Sequence, residues 1–305
     1  MKAVFMGTPD FALPTFEMLL KEHEVVLCVT KPDAPAGRGH KLTVPPVKEL
    51  ALKYNVPVYQ PESSRTEEFY DRLKAAEADV FVTCAYGKIL PESVLTIAPW
   101  GCVNVHASLL PEYRGAAPIW HAVMDGKRYT GVTTMLTAKG VDSGDILLCD
   151  KVEIGPDETM GQLHDVLAKV GADTLRRTLK YLPMGAIRPV PQNDALATYA
   201  PMVNKETGHI AWELSARKIH DLVRGTEPFP VAYSCLDGVR VRIRRTRVVE
   251  EDGVFAPAGT CSVHSGRLEV ACGSGVVEIL EIQREGARRM TAGEFLNGHT
   301  AKKFE

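Results

Sequence analysis

In the stretch 102-CVNVHASLLPEYRGAAP-118 an apolar, valine-rich run ends in a turn containing proline and glycine, and two polar residues, Asn104 and His106, stand inside the run. Side chains alternate faces along a strand, so positions two apart share a side. The spacing therefore predicts an amide and an imidazole next to each other at the carboxyl end of a strand. Open parallel sheets gather their ligands beyond that end.

The flanking sequence supplies the sheet. Upstream, 2-KAVFMG, 25-VVLCVT, 56-VPVYQ and 79-DVFVTCAY are short apolar runs separated by amphipathic ones. This alternation predicts an α/β domain with a Rossmann-like parallel sheet and crossover helices. Thr8 and Pro9 read as the N-cap and first residue of a helix through FALPTFEMLLKE. Downstream, 131-GVTTMLT and 145-DILLCDKVEI read as later strands, and 159-TMGQLHDVLAKVGADTLRRTLKYL as a long amphipathic helix. The first domain is expected over residues 1–190. Residues 191–208, rich in proline and polar side chains, read as a linker. Residues 209–305 carry one helix, 213-ELSARKIHDLVRG, and then turn-separated strands at 239-VRVRIRRTRVV, 259-GTCSVHS, 267-RLEVACG and 276-VVEILEIQ. That pattern predicts a smaller, OB-like β-barrel.

Composition narrows the class. The 305 residues are 45% hydrophobic and 24% charged, with no apolar run of the roughly 18 residues that a membrane helix needs. The amino terminus lacks the basic and long apolar regions of a signal peptide, so a cytoplasmic location is expected. Seven cysteines, an odd number without a C-x-x-C pair, read as free thiols. The nine histidines show no zinc-ligand spacing, so no metal is expected. Gly37 and Gly39 do not make a dinucleotide fingerprint, which argues against NAD.

An asparagine beside a histidine can polarise a carbonyl and hold the oxyanion of an acyl-transfer intermediate. The same pair can equally serve only to satisfy neighbouring backbone groups. The segment 137-TAKGVDSGDIL-147 places Asp142 in a glycine-containing turn, where a carboxylate can orient His106 and favour its charged form. Asp145 competes for that role, and aspartate is also an ordinary turn residue. Arg114 is open between a structural role and a phosphate contact.

The run N-V-H-A-S-L-L-P-E-Y-R-G-A-A-P followed by G-V-D-S-G-D resembles the folate-dependent formyltransferases, marked by an Asn, a His two residues on, the S-L-L-P turn and a later Asp. More narrowly, the chain is similar along nearly its whole length to the branch that formylates methionyl-tRNA. The stretches 7-GTPDFA, 32-PDAPAGRGHKL, 85-AYGKILP, 199-YAPMVNKETGHIAW and 286-GARRMTAGEFLNG carry this likeness. The resemblance implies transfer of a formyl group from 10-formyltetrahydrofolate to the α-amine of methionine on initiator tRNA, the step that prepares it for translation initiation. It implies Asn104, His106 and Asp142 as the catalytic trio. The substrate's own amine is then the nucleophile, so none is needed on the protein.

It also places the pterin ring against the backbone of Ala85, Tyr86, Gly87, Ile89, Leu90 and Pro91, together with Gly140 and Val141; read without it, 85–91 is simply a strand-to-helix loop. Ser108, Leu109, Leu110 and Pro111 would shape the pocket floor, with at least one of the leucines in the core. For tRNA, Arg240, Arg242 and Arg244 alternate with apolar residues and form a stripe suited to phosphates. The competing reading is a solvated barrel face. The Gly/Pro-rich loop 32–46 carries Arg38, His40 and Lys41 at its tip, with Arg38 and Lys41 expected on the acceptor end of tRNA or, alternatively, anchoring the loop itself.

The sequence departs from the family pattern at Ala34, Glu112 and Met202, where basic residues are common. Alternatives are a formyltransferase acting on a sugar-nucleotide amine or on glycinamide ribonucleotide, and a non-catalytic nucleic-acid-binding protein. The match over 199–299 favours tRNA. A monomer without membrane attachment is expected.

Overall fold

The computed structural model describes residues 1–36 and 41–305, apart from the side chains of Ala36 and Lys41. The roles expected of Arg38, His40 and the Lys41 side chain lie outside the described residues. Two compact units form: Met1–Pro118 with Thr130–Val152 and His164–Ala200, and Pro201–Glu305 with Ile119–Tyr129 and Glu153–Leu163.

The first unit is built on strands β1 (Lys2–Gly7), β2 (Glu24–Val29), β3 (Ala34–Ala36), β4 (Lys41–Thr43), β5 (Val58–Tyr59), β6 (Val80–Cys84), β7 (Cys102–His106), β8 (Tyr129–Leu136) and β9 (Ile146–Glu153). Seven of them make one sheet in the order β5-β2-β1-β6-β7-β8-β9, while β3 and β4 pair separately. The pairs β2/β5, β1/β2, β1/β6 and β6/β7 are parallel, and β7/β8 is antiparallel. From β1 the chain moves outward to β2 and β5 and then returns to the other flank of β1 as β6. This reversal of strand order opens a crevice at the carboxyl ends of β1 and β6.

The central strands read as continuous apolar runs because both faces are covered. Val4 and Met6 of β1 join Leu27, Val29, Phe69 and Phe81 on one side. Phe5, pointing the other way, stacks on Phe16 with ring centroids 4.5 Å apart. Phe16 belongs to the helix Leu13–Glu22, which starts later than expected: Asp10–Ala12 form a short 3-10 turn, and Thr8 caps nothing. Pro14 has no N–H to give to a helix interior, so the α-helix has to begin immediately before it. The Thr8 hydroxyl instead donates to the Tyr86 carbonyl at 3.4 Å, joining the loops that follow β1 and β6.

The second unit contains the helix Ala216–Gly225 and strands β10 (Ala232–Leu236), β11 (Val239–Glu250), β12 (Cys261–His264), β13 (Arg267–Ala271), β14 (Val276–Arg284) and β15 (Met290–Thr291). The strands form an antiparallel sheet in the order β10-β11-β14-β13-β12, with β15 on β14. The helix sets Ile219 and Val223 into a core with Val241, Ile243, Ile279 and Ile282. Closure comes from the last residues of the chain. Leu236 bridges Phe304 and Thr260 bridges Lys303, so the tail lies between the two edge strands. Cys261 N donates to Lys302 O at 2.9 Å, and Glu305 N donates to Cys235 O at 2.8 Å. The barrel-like form expected here is completed by a segment, 302-KKFE, that carries no strand signal of its own.

Among the described residues no helix is long and apolar enough to cross a membrane, and no group of three or more His, Cys, Asp or Glu is placed to hold a metal ion.

Candidate active site

Strand β7 presents Asn104 and His106 on one face, as the two-residue spacing predicts. Asn104 lies opposite Thr83 of β6, whose hydroxyl donates to the amide oxygen at 2.8 Å. That bond fixes the amide orientation and leaves its N–H groups without a protein acceptor among the described residues. His106 is 6% exposed. Its Nε2 lies 2.9 Å from the Tyr113 carbonyl. A carbonyl can only accept, so Nε2 carries the proton and Nδ1 faces the other way. On that side stands Asp142, with Oδ2 at 3.6 Å from Nδ1. This is too long for a direct hydrogen bond and within reach of an ion pair when the ring is protonated.

The turn that carries Asp142 is tightly determined. Asp142 itself has φ +48°, a left-handed conformation that aspartate tolerates better than most residues. Gly144 admits no side chain, because a Cβ there would stand 1.7 Å from the Leu136 carbonyl oxygen. The Asp142 carboxylate also accepts from Gly115 N at 2.9 Å. Asp145, the competing carboxylate, offers its main-chain carbonyl to Leu136 N and makes no ion pair among the described residues. The structure thus brings Asn104, His106 and Asp142 together and leaves Asp145 apart.

The 108–111 turn is held by Thr133 of β8, opposite His106 in the sheet register. The Thr133 hydroxyl donates to Ser108 O at 2.7 Å and accepts from Leu110 N at 3.1 Å. Ser108 is fully buried and donates to Glu112 O, while Leu110 lies in the core and Leu109 is half-buried. Arg114 proves structural: it is 3% exposed and its guanidinium is spent on Gln192 and Asp194. Neither Thr133 nor Gln192 stood out in the sequence. One is a polar residue in a strand covered on both faces, and the other sits in a stretch that reads as linker.

In the 85–91 loop, Tyr86 and Leu90 point into the core, whereas Ala85, Gly87 and Ile89 face outward. Ala85 and Gly87 take positive φ values of +47° and +72°. The loop is pinned from outside by Ser64, which donates to Ile89 O at 2.6 Å, and by Lys88, which reaches Pro61 O at 2.6 Å. On the segment after β8, Gly140 and Val141 are exposed.

The arginine stripe is only partly as expected. Arg240 and Arg242 are exposed and have no carboxylate partner among the described residues, and Arg240 lies over the Tyr233 ring at 3.9 Å. Arg244 stays on that face but is committed within its own unit, its Nε donating to Gln283 Oε1 at 3.0 Å. The pairing of β11 with β14 shifts register between Ile243 and Arg245, and such a bulge changes the phase of alternation beyond Arg244, so that Arg245 is also exposed and Thr246 is buried. Arg244 is half-buried and bonds both oxygens of Glu227, at 2.9 and 3.1 Å. Arg240, Arg242 and Arg244 together with Lys205, Phe229 and Tyr233 line a recess of about 250 Å³.

An Asn, a His and an Asp at the strand end of an α/β sheet, in a chain with a second, antiparallel unit, are what the comparisons with known proteins place in a family of group-transfer enzymes. Residues 1–179 match the model of the formyl transferase family, and residues 202–300 match that of the formyl transferase C-terminal domain. The chain belongs to the formyltransferase family, within the group of methionyl-tRNA formyltransferases. A protein of that name from Acetivibrio thermocellus is 50% identical over 301 residues, covering 98% of this chain and 97% of its own. One from Caldanaerobacter subterraneus subsp. tengcongensis is 48% identical with the same coverage. Among solved structures, WlaRD, described as a sugar 3N-formyl transferase in the presence of dTDP and 5-N-formyl-THF, superposes with a TM-score of 0.68. It covers 94% of this chain and 99% of its own at 16% identity, which speaks to fold alone.

Proposed function

We propose that this chain transfers the formyl group of 10-formyltetrahydrofolate to the α-amine of methionine on initiator tRNA, and that Asn104, His106 and Asp142 carry the chemistry. The observation that carries the reading is His106, with Nε2–H fixed on the Tyr113 carbonyl and Nδ1 turned toward Asp142, on the same strand face as the Asn104 amide. The near full-length similarity to methionyl-tRNA formyltransferases supports the acceptor.

In the reaction the amine nitrogen attacks the formyl carbon, and the carbonyl oxygen gains negative charge. Asn104 N–H and, once protonated, His106 Nδ1–H are donors for that oxygen. Asp142 orients His106 and takes up the amine proton, directly or through water. Collapse of the intermediate breaks the bond from the formyl carbon to N10, which takes a proton to leave as tetrahydrofolate. Because the acceptor amine is the nucleophile, a protein serine or cysteine is not needed.

The outward backbone of Ala85, Gly87 and Ile89 and the exposed Gly140 and Val141 are offered to the pterin, while Tyr86, Leu90 and the 108–111 turn form the frame behind them. In this reading 1–190 is the catalytic domain, 191–208 the linker and 209–305 the tRNA-binding domain. Arg240 and Arg242 are its phosphate contacts, and Arg38 and Lys41 reach the acceptor end. Arg244 is reassigned to holding Glu227. The enzyme works as a cytoplasmic monomer without a metal or NAD.

The test is an acceptor comparison. Given 10-formyltetrahydrofolate, the protein should formylate methionyl initiator tRNA, with formylmethionine released on deacylation. Transfer to an amino sugar with none to the charged tRNA would remove the reading.

A further inference from the structure

The Asp142 turn is gripped from a distant part of the chain. Gln192 Nε2 donates to Asp142 O at 2.9 Å and to Gly144 O at 2.7 Å, bracketing the turn. Its Oε1 accepts from Arg114 Nε at 3.0 Å and from Nη2 at 2.8 Å. All four bonds fit one orientation of the amide only. Exchanging oxygen and nitrogen would set an acceptor against two carbonyls and donors against a guanidinium. Arg114 is in turn bonded to Asp194 at 2.7 Å, and its neighbour Gly115 donates to the Asp142 carboxylate. The bonds therefore close a ring that runs from the Asp142 main chain through Gln192 and Arg114 to Gly115, and from there to the Asp142 side chain.

We propose that Gln192 is a positioning residue for formyl transfer: it fixes the left-handed turn at Asp142 and thereby sets the carboxylate against His106. The inference rests on the catalytic role proposed for Asp142. A side chain that merely stabilised the fold would need to reach neither carbonyl of this turn. A misplacement of about 1 Å can cost on the order of 100-fold in rate, so a grip of this kind is read in kcat.

The test is a double-mutant cycle on the full chain. Gln192→Glu keeps an oxygen for Arg114 but loses both donors to the turn, and Gln192→Ala loses the whole connection. Each should lower kcat by roughly 10- to 100-fold, with KM for the donor and for charged tRNA changed by no more than about 2-fold. In an Asp142→Ala background the same changes should cost less than about 2-fold more, because nothing remains to be positioned. Amide exchange at Gly115 should quicken in Gln192→Glu. Equal losses in both backgrounds, or Gln192→Glu with normal kcat and an unchanged Gly115 amide, would overturn the proposal while leaving the catalytic trio standing. A fully active Asp142→Ala enzyme would overturn the trio, and this proposal with it.

Discussion

His106 has two ring nitrogens, and the structure commits them differently: one to a main-chain carbonyl, the other to the side from which Asp142 and a formyl oxygen can approach. Asn104 is fixed in the same manner, its oxygen held by Thr83 so that its donors face out. Replacing Asn104 by Ala should lower kcat by roughly 100- to 1,000-fold, the usual cost of one oxyanion donor, with little change in donor binding. Stopped-flow or quench kinetics beside a tetrahydrofolate titration check this. Thr133→Val keeps the shape of the side chain but strips partners from Ser108 O and Leu110 N, at about 1–3 kcal/mol for a buried group left unpaired. A lowered denaturation midpoint is the expected result. At this scale the sequence showed the Asn104–His106 pair because alternation along a strand is a fixed period. It left Asp142 and Asp145 in competition because the choice depends on one positive φ, and it hid Thr133 and Gln192 because what they hold in place is main chain, which residue identity does not reveal.

Among elements, the helix Ala216–Gly225 buries three titratable residues, His220, Asp221 and Arg224. His220 is 3% exposed, with Nε2 3.1 Å from Pro156 O and Nδ1 3.1 Å from the Thr246 hydroxyl. Asp221 pairs with Arg224 at 2.7 Å, and Asp157 lies 3.3 Å from the imidazole. Burial holds the His220 pKa below its ordinary 6.5, against the opposing pull of the Pro156 carbonyl and the nearby carboxylates. The unfolded chain then binds a proton more readily than the native one. Stability should be full above about pH 6.5 and fall as pH drops below it. His220→Gln should flatten that acid slope in chemical denaturation measured between about pH 7.5 and 5; an unchanged slope would assign the titration elsewhere. The tail gives a second prediction for this unit. Phe304 is 1% exposed and packs on Trp212 with centroids 4.9 Å apart, so Phe304→Ala should cost about 3–5 kcal/mol. The loss should appear as faster amide exchange at Cys235 and Cys261, the two edges the tail joins. The strands of this unit were legible from their turn spacing. Its closure was not, since a short run of polar and aromatic residues carries no periodicity.

Across the whole molecule the net charge is only −2, so attraction to a polyanion has to be local. Arg240 and Arg242 meet that requirement, whereas Arg244, Arg245, Arg247 and Arg289 face glutamates of their own unit. Arg240→Ala and Arg242→Ala should each weaken tRNA binding and reduce its salt slope by about 0.9 for each phosphate no longer neutralised. Arg244→Ala should leave the slope alone and lower stability instead, by leaving Glu227 with a poorer set of partners. Alternation along β11 makes the three arginines one stripe in the sequence and in the fold, and what the sequence does not reveal is that Glu227 and Gln283 take up the third guanidinium.

Whether this trio moves a formyl group onto methionyl-tRNA is decided by a single-turnover experiment. Wild-type protein and His106→Ala, each saturated with labelled 10-formyltetrahydrofolate, are mixed with charged initiator tRNA and quenched over time. Formylmethionine should form with the wild type, and the transfer step should be slowed by at least about 100-fold in His106→Ala, with both substrates still bound. Equal transfer rates in the two proteins, or no formylmethionine from either, would contradict the assignment.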